Sequence, residues 1–367
     1  MPTAIINAKI FTGDGVETGK AILVENGHIE NIIPVPDVPS SHTIEDLQGS
    51  NIAPSFIDLQ IYGGNGKMFS HELTTDALQS TYEYCLAGGC AHFMITMATN
   101  SIDNFIKGID TVQEYWDQGG KGVLGLHLEG PYLNPVKKGA HVEQYIKKPS
   151  PEEIELLLNR RKEVVKMITI APENFEDRVL DLLLNRGIIV SAGHTNATYK
   201  EATHGFDKGI PAATHLFNAM SPLQHREPGM VGAIFNHSNV SSSIVCDGVH
   251  VDYAAVRISK SILKERLFFI TDAVTEIREG EYKHIFKGDR YTLPDGTLSG
   301  SSLTMMQCVK NGVQSVGIPL DESLRMASVY PAELLGATYK LGKIEKGYQA
   351  SFVIFDDALN VIRVLND

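Results

Sequence analysis

Eight apolar runs punctuate the middle of the chain, and most of the gaps between them hold sequence able to form a helix. The runs are IAPSFIDLQIYG, CAHFMITMAT, VLGLHLEG, VKMITIAPE, IIVSAGH, AATHLFN, SSIVCDGVH and LFFITDAV. They are near-continuously apolar, the pattern of strands buried on both faces in a parallel sheet. Among the gaps, PSPEEIELLLNRRKEVV places Pro and Glu in a first helical turn. ENFEDRVLDLLLNRG offers Gly187 as a helix stop, and NATYKEATHGFDKG is a third helical stretch. Eight strands alternating with helices predict an α/β fold, a (β/α)8 TIM-type barrel in preference to an open sheet.

A barrel needs roughly 250 residues, and the 367 present leave room for an accessory module. Residues 1–51 read as short strands and turns, with ENG between two apolar runs as a hairpin signal. Residues 336–367, which include IEKGYQASFVIFDD, have the same texture. The two ends are therefore expected to form one small β module flanking a barrel over 52–335. After Asp272, REGEYKHIFKGDRYTLPDGTLSGSS reads as a hairpin insertion before the final helices.

A net charge of -12 argues against nonspecific binding to nucleic acid or anionic membranes. It would also repel an anionic substrate, so a phosphate would need a local basic pocket. The opening MPTAIINAKIFTGDG lacks a basic n-region and a long apolar h-region, and no stretch approaches the roughly 20 apolar residues of a membrane span. Cys85, Cys90, Cys246 and Cys308 show no metal or disulfide spacing. Reduced thiols and a cytoplasmic location are expected.

Four polar residues stand at or just past the downstream ends of the runs: Glu129, His194, His215 and Asp272. Chemistry in α/β barrels is placed at those strand ends. A lone histidine in an apolar run is more often a hydrogen-bonded core residue than a ligand. Two at corresponding ends of successive strands can reach one ion, because parallel neighbours lie about 4.8 Å apart. Glu129, two runs away, completes a set of three ligands. Asp272 either pairs with neighbouring backbone or serves as the base beside that ion.

Other residues carry two readings each. His141, in KKGAHVEQ, is either a surface histidine or a donor that polarises a substrate carbonyl. Arg226, in QHREPG, is either a solvated loop charge or a phosphate contact, with His250 in CDGVHVD as a further donor. The GGNG segment at Gly63–Gly66 lacks the features of a nucleotide loop and reads as a turn.

Together HLEGPYLNPVKKGAH, SAGHTNA, THLFNAM, REPG, DGVHVD, TDAV and GTLSGSSLTM resemble the N-acetylglucosamine-6-phosphate deacetylase family of the amidohydrolase superfamily. The likeness runs in order from PSFID to IEKGYQASFVIFD. It implies a barrel with a β-sandwich built from both termini, a homodimer, and hydrolysis of N-acetyl-D-glucosamine 6-phosphate to D-glucosamine 6-phosphate and acetate. By motif, Glu129, His194 and His215 resemble the metal ligands and Asp272 the acid/base. Ala140 and His141 resemble contacts to sugar and acetyl group. Asn218, Ala219 and Arg226 resemble phosphate-side contacts, with the turn Asp247, Gly248, Val249, His250 alongside, and some phosphate contacts supplied by the partner subunit. Leu298, Ser299 and Gly300 resemble an acyl-side wall. Many amidohydrolases have His-x-His after the first strand for a second metal; here Gln60 and Tyr62 stand there. Neutral Gln is a poor ligand and a phenol seldom ionises unaided, so one divalent ion per subunit is expected, with Gln60 touching its water. Zinc suits the ligand set, as do iron, cobalt, nickel and manganese. Rival readings are a deacetylase of N-acetylgalactosamine 6-phosphate or another N-acyl amino-sugar phosphate, a cyclic-amide hydrolase, and a catalytically silent sugar-phosphate binder.

Overall fold

The computed structural model describes residues 2–336 and 339–366; Met1 and Asp367, the outer limits of the expected terminal segments, lie outside them. Eight strands follow one another around a single sheet in chain order. They are β1 (Phe56–Ile61), β2 (Cys90–Ala98), β3 (Val123–Glu129), β4 (Val165–Ile170), β5 (Ile189–Ala192), β6 (Ala212–Ala213), β7 (Ser241–Ile244) and β8 (Leu267–Phe269). Every pairing from β2 to β8 is parallel. The sheet returns on itself just past β8: the Asp272 N–H donates to the Gln60 carbonyl and the Tyr62 N–H to the Ala273 carbonyl, both at 3.0 Å. The expected α/β barrel is therefore the fold.

Helices fill the gaps: α1 (Thr75–Ala87), α2 (Ile102–Asp117), α3 (Pro151–Arg160), α4 (Asp177–Leu184), α5 (Tyr199–Asp207), α6 (Gly229–Asn236) and α7 (Tyr253–Leu263). Their starts are written locally. Ser101, Ser150 and Thr198 each accept a backbone N–H of the first turn, and Thr198 with Glu201 forms a full capping box. In α2, Phe105, Ile109 and Val112 recur at helical spacing and are buried. Gly187 does not end α4, which stops at Leu184 with Asn185 as its cap. It serves the turn beyond, where its φ of 71° suits glycine.

The chain divides into two compact units. One comprises Met1–Asp58, Cys85–His92 and Thr304–Asp367. It holds a four-stranded and a five-stranded sheet. In the latter Ser351–Phe355 runs antiparallel to Asn51–Pro54, so the two ends of the chain share one sheet. Ile5, Ile10, Ile22, Ile52, Phe352 and Ile354 form its buried core. The ENG hairpin is present, with Asn26 and Gly27 at φ 50° and 73°, the left-handed pair that a tight two-residue turn needs.

The other unit is Leu59–Tyr84 and Phe93–Leu303. After β8 it carries an antiparallel flap over residues 277–301: a lead-in segment in which Ile277 bridges His284, then β9 (Ile285–Phe286), β10 (Arg290–Thr292) and β11 (Leu298–Ser301). The last of these lies beside the end of β8, where Ser301 N–H donates to the Asp272 carbonyl at 3.0 Å. No helix of the described residues is long and apolar enough to cross a membrane.

Candidate active site

His194, His215 and Asp272 stand two or three residues past the ends of β5, β6 and β8. All three sit on left-handed backbone, at φ 48°, 37° and 53°. Such a conformation costs a non-glycine residue about 1–3 kcal/mol and persists where surrounding structure enforces it. Glu129 ends β3, and its chain turns at Gly130, at φ 93°. These kinks bring all four side chains to the wall of one cavity of about 250 Å³.

Three electron-pair donors converge there. Glu129 Oε1 lies 3.0 Å from His215 Nε2 and 3.3 Å from His194 Nε2, and the two nitrogens are 3.1 Å apart. Metal–ligand bonds of 2.0–2.2 Å in a tetrahedral shell give edges of about 3.3–3.6 Å, so this triangle, a few tenths of an ångström tighter, suits one divalent ion. His194 Nδ1 donates to the Lys137 carbonyl at 2.9 Å, which leaves the Nε2 lone pair free. His215 Nδ1 is buried without a partner.

A second triad, Glu129, His141 and His194, also brings its donor atoms within 4.8 Å of one another. Hydrogen bonding decides between the two. The Thr99 backbone N–H donates to His141 Nδ1 at 3.1 Å. That nitrogen must be the acceptor, so the neutral ring carries its hydrogen on Nε2, which faces Glu129 Oε2 at 3.2 Å. Burial, reinforced by the neighbouring His194, pushes His141 down to about 4 against the pull of Glu129, so the ring is neutral at neutral pH. His141 is thus an N–H donor, and Glu129, His194 and His215 form the better ion site.

Beneath the cavity, the buried Gln60 amide nitrogen touches Asp272 Oδ1 at 2.9 Å, Glu129 Oε1 at 3.0 Å and the Tyr62 hydroxyl at 3.0 Å. The Gln60 amide thus bridges the two carboxylates, and it does not line the cavity. The Tyr62 hydroxyl donates to Glu129 Oε2. Burial, helped by the Glu129 charge, pushes that phenol well above its ordinary range and keeps it a donor. The two carboxylates are driven apart. Burial alone would raise Glu129, but His141 and His194 outweigh it and hold the group well below the usual range. Burial raises Asp272 by more than His215 and His250 pull it down. One carboxylate is held as an anion and the other is poised to exchange a proton.

Of the remaining sequence-derived residues, Ala140, Asn218, Ala219, His250, Leu298, Ser299 and Gly300 line the cavity. Asp247, Gly248, Val249 and Arg226 do not. Asp247 accepts from the Val249 and His250 backbone N–H groups at 2.8 and 2.7 Å and from His250 Nδ1 at 2.6 Å. Its oxygens are spent orienting His250, whose Nε2 lies 3.9 Å from Asp272 Oδ2. Arg226 sits on an exposed loop ahead of α6. The cavity also takes Tyr282 and His284 from the flap, which sequence reasoning missed. The polar-apolar alternation of GEYKHIF, leading into β9, was the one local signal for them.

Residues 51–366 match the amidohydrolase family and residues 3–52 the NagA composite domain. An N-acetylglucosamine-6-phosphate deacetylase of Haemophilus influenzae is 38% identical, over 99% of this chain and 97% of that protein. An N-acetylgalactosamine-6-phosphate deacetylase of Shewanella sp. is 33% identical, over 87% of this chain and 82% of that one. The crystal structure of N-acetylglucosamine-6-phosphate deacetylase from Pasteurella multocida superposes with a TM-score of 0.95 at 38% identity, covering 100% of this chain and 98% of that one.

Proposed function

This chain belongs to the amidohydrolase family, and from that premise we propose that it deacetylates N-acetyl-D-glucosamine 6-phosphate, releasing D-glucosamine 6-phosphate and acetate. The observation that carries the reading is the triangle of Glu129 Oε1, His194 Nε2 and His215 Nε2, at 3.0–3.3 Å from one another, with Asp272 tied to the same floor through Gln60. The near-full-length likeness to a deacetylase of that substrate supports it.

Glu129, His194 and His215 would hold one divalent ion, zinc by our reading. When bound it supplies a Lewis acid that polarises the acetyl carbonyl and lowers the pKa of water. The chain's own groups do the rest. His141 shifts its one N–H, on Nε2, from Glu129 Oε2 to the carbonyl oxygen as negative charge develops there. Asp272 takes a proton from water as the oxygen–carbon bond forms. It returns that proton to the sugar nitrogen as the carbon–nitrogen bond breaks. The Tyr62 hydroxyl occupies Glu129 Oε2, which supports one ion per subunit.

The enzyme acts in this reading as a homodimer, and the exposure of Arg226 leaves it open to a second copy of the chain. Four buried cysteines, none of them in a disulfide, support a reducing, cytoplasmic setting. The galactosamine epimer is the second reading, because a relative named for it is 33% identical. Acetate release from both 6-phosphates, with and without chelator, tests the proposal. Turnover of the glucosamine substrate abolished by chelator is expected; release from the galactosamine epimer alone would favour the second reading, and release from neither would refute both.

A further inference from the structure

The flap does more than wall the cavity. Its Tyr282 hydroxyl donates to the Thr99 carbonyl at 2.5 Å and accepts the Val142 N–H at 3.3 Å. Those two backbone segments define the His141 ring. Thr99, just past β2, gives its own N–H to His141 Nδ1 at 3.1 Å, and Val142 is the next residue in the chain. Thr99 Oγ1 also donates to the Glu129 carbonyl at 2.9 Å, so the same residue is tied to the end of β3. Beside Tyr282, Glu281 Oε1 accepts from Gln144 Nε2 and the Tyr145 hydroxyl, each at 2.9 Å. Residues 281–282 of the flap thus grip residues 142–145 of the loop carrying His141 by three hydrogen bonds, and a fourth reaches Thr99.

We propose that Tyr282 is a positioning residue, whose hydroxyl locks the Thr99 and Val142 backbones so that the His141 Nε2–H points at the acetyl oxygen. The proposal rests on the deacetylase reading above. Without the hydroxyl, the Thr99 carbonyl and the Val142 N–H lose a common partner, and the segments on either side of His141 are free to part. Misplacement of a reacting group on the scale of 1 Å is enough to cost about a hundredfold in rate. Burial pushes the Tyr282 phenol up, which keeps it protonated and able to donate throughout the neutral range.

The test is a double-mutant cycle on the full chain loaded with zinc, reading acetate release from N-acetylglucosamine 6-phosphate and bound metal. Tyr282→Phe is expected to lower kcat about tenfold to a hundredfold with KM and metal content little changed. In a His141→Gln background the same substitution should change kcat by less than about twofold, because the group it positions is gone. An equal fractional loss in both backgrounds, a loss confined to KM, or no loss would overturn the proposal. Should Tyr282→Phe fail to fold with its metal, Glu281→Ala, an exposed change in the same grip, goes through the same cycle with the same criteria. An unmodified protein that releases no acetate would refute the deacetylase reading and be distinguished at that first step.

Discussion

The sharpest prediction separates His141 from His215. Both Nε2 atoms approach Glu129, at 3.2 Å from Oε2 and 3.0 Å from Oε1, so distance alone does not say which one holds an ion. The Thr99 N–H on His141 Nδ1 does, because it forces the hydrogen onto Nε2. His141→Gln should therefore leave metal stoichiometry intact. It should lower kcat about 10²–10³-fold, or about 3 kcal/mol, the usual loss for one oxyanion donor. It also strands the buried Thr99 N–H, costing about 1–3 kcal/mol of folding stability. His215→Gln should instead weaken metal binding by more than about a hundredfold, beyond the usual cost of losing an outer-shell partner. Metal per chain by mass spectrometry after desalting, set beside acetate release, reads both effects. If His141→Gln emptied the site while His215→Gln kept its ion, the tautomer argument would be wrong and the ligands would be Glu129, His141 and His194.

Three further outcomes are expected. Asp272→Asn should cut turnover by at least about a thousandfold with metal retained, since the amide cannot carry the proton between water and sugar nitrogen; normal turnover would remove Asp272 from the mechanism. Tyr62→Phe frees Glu129 Oε2 and should weaken metal affinity about tenfold to a hundredfold, measured by chelator competition; an unchanged affinity would show that the phenol does not hold the ligand. Burial pushes His92 and His284 down from 6.5 to about 4 in the folded chain. Unfolded chains then bind these protons first, so this stability is full above about pH 6.5 and is lost as pH falls toward about 4, at 1.36 kcal/mol per unit for each group. Denaturant unfolding near neutrality and at about pH 5 should reveal about 2 kcal/mol of that loss per histidine. His92→Asn should remove one share of the pH dependence, and an unaltered pH dependence would contradict the assignment.

Much of this molecule was legible before its fold. Burial on both faces forces continuous apolar runs, so the barrel strands announced themselves, and a polar residue closing such a run had to lie at the sheet's end. Glu129, His194, His215 and Asp272 were visible for that reason. The ENG turn and the strand-like texture of both termini likewise foretold a shared β module, because turn chemistry and alternation are local properties.

Other features were decided by neighbours far away in the chain. Arg226 and Asp247 occur in motifs that resemble phosphate contacts, yet one stands exposed and the other spends its oxygens on His250. Tyr282 and His284 reach the cavity because the lead-in to β9 is held there, His284 by its bridge to Ile277 and Tyr282 by Thr99 and Val142. The role of His141 depends on Thr99, 42 residues upstream, and by our proposal on Tyr282, 140 residues beyond Val142. The amino-acid sequence by itself determined which side chains end the strands, since burial and periodicity are written residue by residue. Only the tertiary structure decided which nitrogen carries a hydrogen and which carboxylate keeps its charge, since those depend on hydrogen bonds and desolvation that exist once distant segments meet.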